Sequence, residues 1–341
     1  MNKLVYLVAL ATVFMFGCSK EKINEQLNND SNAKSSVKLI TLSDGSKTSI
    51  TMLEFSNTNA YDSTITSLEQ QMETLDDAFL AQYGYLNDSL LNEKEEDAGF
   101  VYQQPLIDFE NSLNFTNSMR QVYVVAEENW LDNDSLDPAT DPSLTYVFGN
   151  AEMAMLNENG QVKVDSILLK LTTDGFIAFT DGDINKLIRF NNGDMTVLNE
   201  PNVVTNLDEA SRSANCKSWK GENNWDSYAS KKKVKKHEHF HAYWWKGTSE
   251  AQITSYKKRG RRWKKYRMNL GVANQSYFYD NDDCSTVKAQ GWSRWKRKKR
   301  KSISKRFPSW GAFPVYRAKN GASVLGYFEY AGHSNNDWLS W

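Results

Sequence analysis

The sequence predicts an α+β N-terminal domain of amphipathic helices and β-hairpins, followed by a mostly antiparallel, β-sandwich or barrel-like C-terminal domain. Three observations carry this. Tyr61, Ile65, Leu68, Met72, Leu75 and Phe79 recur at alternating steps of four and three, the spacing of one helix face. Beyond residue 216, short segments of alternating polarity are divided by turn residues, the pattern of antiparallel strands. Charge and tryptophan also change together. Residues 1–215 hold 13 Lys and Arg against 33 Asp and Glu, a balance of −20, whereas 216–341 hold 28 against 9, a balance of +19. Of the 11 Trp, only Trp130 precedes Cys216, so a domain boundary is placed at 206–216.

The chain opens with Lys3 and an apolar run from Leu4 to Phe16 before Gly17-Cys18, the order of a signal peptide over residues 1–17. The run is too short for a membrane span of about 20 residues. A small residue directly before a cysteine is similar to a lipobox, with Met15 departing from the usual Leu, and makes Cys18 the lipidation site. Several acyl chains on one cysteine, palmitate among them, anchor stably where one chain would not. Ser19 after the cysteine favours the outer membrane over the inner one. Residues 18–36 then form a disordered tether, polar and Asn-rich with little to bury; as a flexible coil it reaches about 23 Å on average. No other stretch is apolar and long enough to cross a membrane.

In the acidic α+β domain, 37–205, Thr51 to Phe55 reads as a strand, and Asn57 or Asn59 caps the helix that follows and ends near Gly84. A second helix runs from Ser118 to Leu131, with a loop over 132–142. Met153 to Leu156, Val162 to Leu171 and Phe176 to Phe179 read as strands around turns at Asn159-Gly160 and Asp174-Gly175. A short helix spans Asp183 to Asn191. The acids are spread over helix faces and loops as solvated side chains, and no carboxylate pair stands out as a general acid and base.

Phe109-Glu110, Ser118-Met119-Arg120, Trp130-Leu131, Asp137-Pro138, Leu156-Asn157, Gly160-Gln161-Val162 and Lys170 before Asp174-Gly175 give roughly residues 50–190 a pattern that resembles uncharacterised Bacteroidota envelope lipoproteins of unknown function. The resemblance implies an envelope address, at the outer membrane or the cell surface, and no activity.

In the basic, Trp-rich β domain, 216–341, strands are expected over 232–245, 249–258, 262–274, 276–279, 288–295, 315–318 and 324–330. Cys216 and Cys284 make an even pair in an oxidising compartment, which suggests one disulfide, the alternative being two buried thiols. His237-Glu238-His239-Phe240-His241 satisfies H-E-x-x-H, which on a helix would bind zinc with Glu238 as base. Lys235 and Lys236 before it and Tyr243-Trp244-Trp245 after it favour a strand instead. There His237, His239 and His241 share one face, a solvated one that could also seat a surface metal. The strongest functional signal is cations interleaved with rings, above all Arg261, Arg262, Trp263, Lys264 and Arg267, and Trp292, Trp295, Arg297 and Lys299. Cations meet phosphate or sulfate while flat rings stack on bases or sugars.

The function expected is a non-enzymatic, lipid-anchored protein that holds an anionic polymer: polysaccharide, lipopolysaccharide or nucleic acid. Its cations could instead neutralise the acidic half or simply face water. Two other classes stay open, a scaffold or accessory subunit of an envelope complex with protein partners, and a metal-dependent hydrolase at His237 and His241. The main reading calls for no cofactor.

Overall fold

The structure, a computed structural model, describes residues 36–340 apart from 46–47, 134–135, 174, 208–215, 243–244, 281–282 and 311–315. The signal peptide, Cys18, the tether and most of the boundary segment lie outside the described residues. Among the described residues no helix is long and apolar enough to cross a membrane.

The acidic half is a six-stranded sheet with helices on it. Strands β1 (Val37–Ser43) and β2 (Ser49–Phe55) form a hairpin, followed by helices α1 (Thr58–Tyr83), α2 (Asp88–Asp97), α3 (Gln104–Ser112), α4 (Met119–Leu131) and the single turn α5 (Asn150–Met153). Strands β3 (Gln161–Val164), β4 (Ile167–Thr172) and β5 (Gly175–Phe179), helix α6 (Ile184–Asn191) and strand β6 (Val203–Thr205) complete it. The helices form the crossover that lets β3 pair parallel with β2; the other pairings are antiparallel. The expected caps are in place: the Asn57 side chain accepts from the Ala60 amide at 2.8 Å and Ser118 Oγ from the Gln121 amide at 3.2 Å.

Two readings of this half are corrected. Residues 153–156 are not a strand, because a buried apolar run this short has no period to separate strand from helix, and it closes α5 instead. Residues 162–171 are not one strand but β3 and β4, reversed between Val164 and Ile167 with Asp165 at φ 57°, a conformation Asp tolerates. The helices α2 and α3 and strand β1 were not read from the sequence.

The basic half is two sheets face to face. One is ordered β11 (Arg262–Lys265), β10 (Lys246–Arg259), β9 (Lys232–Ala242), β8 (Trp219–Ala229), with β15 (Ser302–Trp310) following β11 along the same edge of β10. The second is centred on β12 (Met268–Asp280), which pairs with β17 (Val324–Tyr330) and β16 (Tyr316–Lys319) on one side and with β13 (Val287–Trp292) and β14 (Lys296–Arg300) on the other. Strands β7 (Cys216–Lys217) and β18 (His333–Trp338) lie at its margins. The sheets do not close into a barrel, which corrects that part of the expected architecture. Val234, Ile253 and Ile303 of the first sheet meet Leu270, Val272 and Phe328 of the second, each side chain contributing about 1.5–3 kcal/mol by burial. Cys216 and Cys284 are joined by a disulfide with Cα atoms 6.1 Å apart.

The first of these sheets is covered on its other face too. Trp225, Tyr256 and Trp263 pack against Trp130 and Leu136 of the acidic half, and Trp219 and Trp245 pack on that half's main core. Trp219, Trp225, Trp245 and Trp263 are therefore the mortar between the halves, and this contact decides where the charges go.

Candidate polyanion interface

Strand β14 is Lys-Arg-Lys-Lys-Arg, and its period of two sorts those cations into two environments. Lys296, Lys298 and Arg300 lie opposite Val272, Leu270 and Met268, on the core side of the sheet, and there they reach helix α1. Lys296 binds Glu73 at 2.5 Å, Arg300 binds Asp76 at 2.6 Å, and Lys298 meets Asp77. Glu69, Glu73, Asp76 and Asp77 recur at helical spacing, so α1 carries an acidic stripe beside its apolar one. Burial pushes Glu73 up, but Arg300 and Lys296 outweigh it and hold its carboxyl at about 2.

Arg267 goes deepest. Its side chain is 2% exposed and pairs with Asp76 at 2.8 Å and Glu95 at 2.9 Å, against the adjoining rings of Phe79 and Phe100. Lys299 turns to the end of α1, donating to the Gly84 and Leu86 carbonyls at 3.1 and 2.9 Å. Arg267 and Lys299 are thus committed within the molecule. Further ion pairs of the same kind join Lys235 to Asp141, Lys265 to Glu127 and Arg306 to Glu69, at 2.7–2.9 Å. The expectation that the acidic side chains are solvated is corrected here: Asp76, Glu95 and Asp141 are buried against cations of the basic half, and Glu110 and Glu152 are buried against Arg120 and the Tyr61 hydroxyl of their own half.

The hairpin of β10 and β11 is different. Arg261, Arg262 and Lys264 are exposed, and Trp263 is buried beneath Lys233 and Lys258, whose ammonium groups sit 5.2 and 5.8 Å from its ring. Strand pairing aligns Lys232, Lys257 and Lys264 in one row across β9, β10 and β11, and sets Arg259 opposite Arg262. Like charges directly opposite each other destabilise a sheet. Three acids approach this tip: Glu96 toward Arg259 at 2.8 Å and Lys264 at 3.8 Å, Asp132 toward Arg262 at 3.1 Å, and Glu127 toward Lys265 at 2.7 Å. Lys232, Lys233, Lys257 and Arg261 have no carboxylate partner among the described residues.

Trp292, Trp295 and Arg297 come together elsewhere, on the outer face of the β12 sheet. Trp292 and Trp295 are 51% and 37% exposed, and the Arg297 guanidinium lies 4.8 Å over the Trp295 ring.

His237, His239 and His241 stand on strand β9, not on a helix, so the arrangement a zinc hydrolase needs is absent. They share one face with ring centroids 5.3 Å apart, as the strand period requires. That face is not solvated, however: all three rings are buried under the acidic half. His237 Nδ1 is 2.6 Å from Asn223 Oδ1, His239 is 3.8 Å from Glu250 and His241 is 3.9 Å from Glu152. The rings lie side by side, and among the described residues no group of three His, Cys, Asp or Glu side chains is placed to hold a metal ion. Burial pushes His237 down to about 3 and His239 to about 4, and carries His241 well below its ordinary value.

No protein-family model and no curated protein matches the chain. Among solved structures it is similar to the crystal structure of a DUF4848 family protein from Bacteroides thetaiotaomicron, at 11% identity over 86% of this chain and 95% of that one. The TM-score is 0.19, too low to carry an argument about fold or function.

Proposed function

We propose that this is a non-enzymatic lipoprotein of the outer membrane, held by Cys18 and its tether, which binds an anionic polymer through the cationic tip of its C-terminal sheets. What supports this is the row Lys232, Lys257 and Lys264 beside Arg261. Most other cations of this half have a carboxylate of the same molecule against them. These instead sit opposite one another, at a cost to the sheet and with too few acids in reach. A strand tip that concentrates positive charge in this way suits a phosphate, sulfate or uronate chain, whose own charges would relieve the repulsion. The acidic half, having neutralised Arg267, Lys296, Lys298, Arg300 and Arg306, limits the binding surface to the tip.

The test is retention of the full-length protein on heparin and DNA columns across a salt gradient. With about four phosphate contacts, the logarithm of the DNA association constant should fall with log salt at a slope of roughly −3.6. The triple variant Lys257→Glu, Arg261→Glu, Lys264→Glu should elute near the void at low salt while melting like the parent. Equal retention of parent and triple variant, or retention indifferent to salt, rejects the tip as a polyanion site.

A further inference from the structure

We propose that the outer face of the β12 sheet carries a second binding site, separate from the cationic tip, for a carbohydrate chain.

Residues 272 and 278 of β12 point into the sandwich core, so Gln275 and Tyr277 point out. The register sets Gln275 opposite Trp292 and Tyr277 opposite Gln290 on β13, and Tyr327 of β17 lies on the same outer face opposite Ala273. An exposed Trp292 and the half-buried Tyr277 and Tyr327 therefore cluster on a face turned away from the core. An exposed aromatic patch of this kind forgoes burial energy of about 1.5–3 kcal/mol per large side chain, which marks it as a contact surface.

The rings hold one another in position. Tyr327 meets Trp292 edge to face at 5.1 Å and 71°, and Trp295 at 6.3 Å and 63°. Such pairs are favourable beyond their buried area, so the indole faces are fixed before any ligand arrives. Hydrogen-bonding groups stand between them: the Gln275 amide donates to the Tyr277 hydroxyl and accepts from the Tyr327 hydroxyl at 3.4 Å, and Gln290 is exposed. Gln275, Tyr277, Gln290 and Trp292 line a shallow groove of about 350 Å³, a size ordinary for a ligand site. Gly291 shapes its floor. A Cβ there would lie 2.2 Å from the Phe307 ring, so only glycine lets β13 sit flush on the opposing sheet.

A sugar ring fits these groups. One face of a pyranose shows polarised C–H bonds, which the negative face of an indole attracts, while its hydroxyls are paired donors and acceptors that match amide and phenol groups. Charge separates this occupant from a nucleic acid strand, whose sites line the backbone path with cations. Here the groove lining is uncharged, Arg297 is held by Glu329 at 2.6 Å, and Arg294 stands exposed at the margin, where an acidic sugar could meet it.

The experiment is affinity electrophoresis of the full-length protein through gels cast with dextran, xylan, laminarin, alginate or pectate, and separately with single-stranded DNA, at high salt to silence the tip. At least one polysaccharide should retard the parent. Trp292→Ala and Tyr327→Ala should each weaken that binding roughly tenfold or more, and Gln290→Ala, which removes no packing, should weaken it measurably. The triple tip variant should be retarded like the parent, so the two sites fail or succeed independently. Retardation by no polysaccharide of the panel, by DNA alone, or equally for parent and Trp292→Ala overturns the proposal.

Discussion

Replacing Asp76 with alanine should destabilise the protein by about 3–5 kcal/mol, among the largest effects of any single charge in the molecule. Asp76 is fully buried and receives two guanidinium groups, Arg267 at 2.8 Å and Arg300 at 2.6 Å, whose side chains are 2% and 3% exposed. Removing one partner of a buried pair leaves the other charge without compensation, which costs more than the pair ever contributed. Here two buried guanidinium groups each lose a carboxylate at once, leaving Arg267 with Glu95 alone and Arg300 with the half-exposed Glu73. Arg267 cannot swing to water, because the adjoining rings of Phe79 and Phe100 cover its guanidinium and the Asn92 side chain binds its backbone twice, at 2.8 Å to the amide and 2.8 Å to the carbonyl. Asp77, one residue on, gives the contrast. Its side chain is 54% exposed and its pair with Lys298 is open to solvent, so Asp77→Ala should cost less than about 1 kcal/mol. Urea midpoints of the two variants settle the matter; if Asp76→Ala loses no more than Asp77→Ala, the buried cluster is not what fastens the halves together.

That cluster also marks the limit of what the sequence can say. The helix of α1 was legible because its apolar positions repeat with the helical period and Asn57 stands at its start. The acidic stripe on the same helix was in plain view at 69, 73, 76 and 77 and was still read as solvated, since charge at helical spacing looks the same whether it faces water or another chain segment. Strand β14 was missed for the reciprocal reason. Five consecutive cations have no polarity alternation, yet they differ in destination, with 296, 298 and 300 going to the acidic stripe of α1, 299 to the carbonyls at its end and 297 to Glu329. Composition gave the equal and opposite totals of the halves; only the fold shows which cations are taken. Of the ring and cation residues singled out, Arg267 and Lys299 proved internal, Trp263 is buried against the acidic half, Arg261, Arg262 and Lys264 stand exposed on the tip, and Trp292, Trp295 and Arg297 form the outer face. Gln275, Tyr277 and Tyr327 were missed because isolated amides and phenols carry no pattern until strand register assembles them.

The histidine face of β9 should make the protein acid-labile well above the range where carboxylates protonate. In the unfolded chain each imidazole titrates near 6.5; in the folded protein His237 is held at about 3 and His239 at about 4, with His241 well below its ordinary value, and burial is the leading cause for each. Above about pH 6.5 neither state binds these protons and stability is unaffected. As pH falls below that, the unfolded state takes up protons the folded state refuses, so stability declines by up to about 1.4 kcal/mol per unit for each ring, or about 2 kcal/mol per ring at pH 5. Three rings together reach the scale of a domain's whole stability, about 5–15 kcal/mol. The charges facing them do not cancel this. Lys235, Lys246 and Arg306 repel a new positive charge, while Asp141, Glu152 and Glu250 would attract one, and burial prevails. Among the neighbouring acids, Glu238, raised well above its ordinary value by burial, and Asp62 and Glu69, raised by burial too, oppose the decline, whereas Glu250 and Glu73, both near 2, deepen it below about pH 4.5. Urea unfolding followed by tryptophan fluorescence should therefore show a midpoint that drops sharply between pH 7 and pH 5. His239→Gln, which cannot take a proton and removes no hydrogen bond of the ring, should recover about 2 kcal/mol of the loss at pH 5 while leaving the pH dependence due to the other two rings. A parent protein with the same midpoint at both pH values would mean that these rings are not buried neutral between the halves, and that the acidic half does not close over β9.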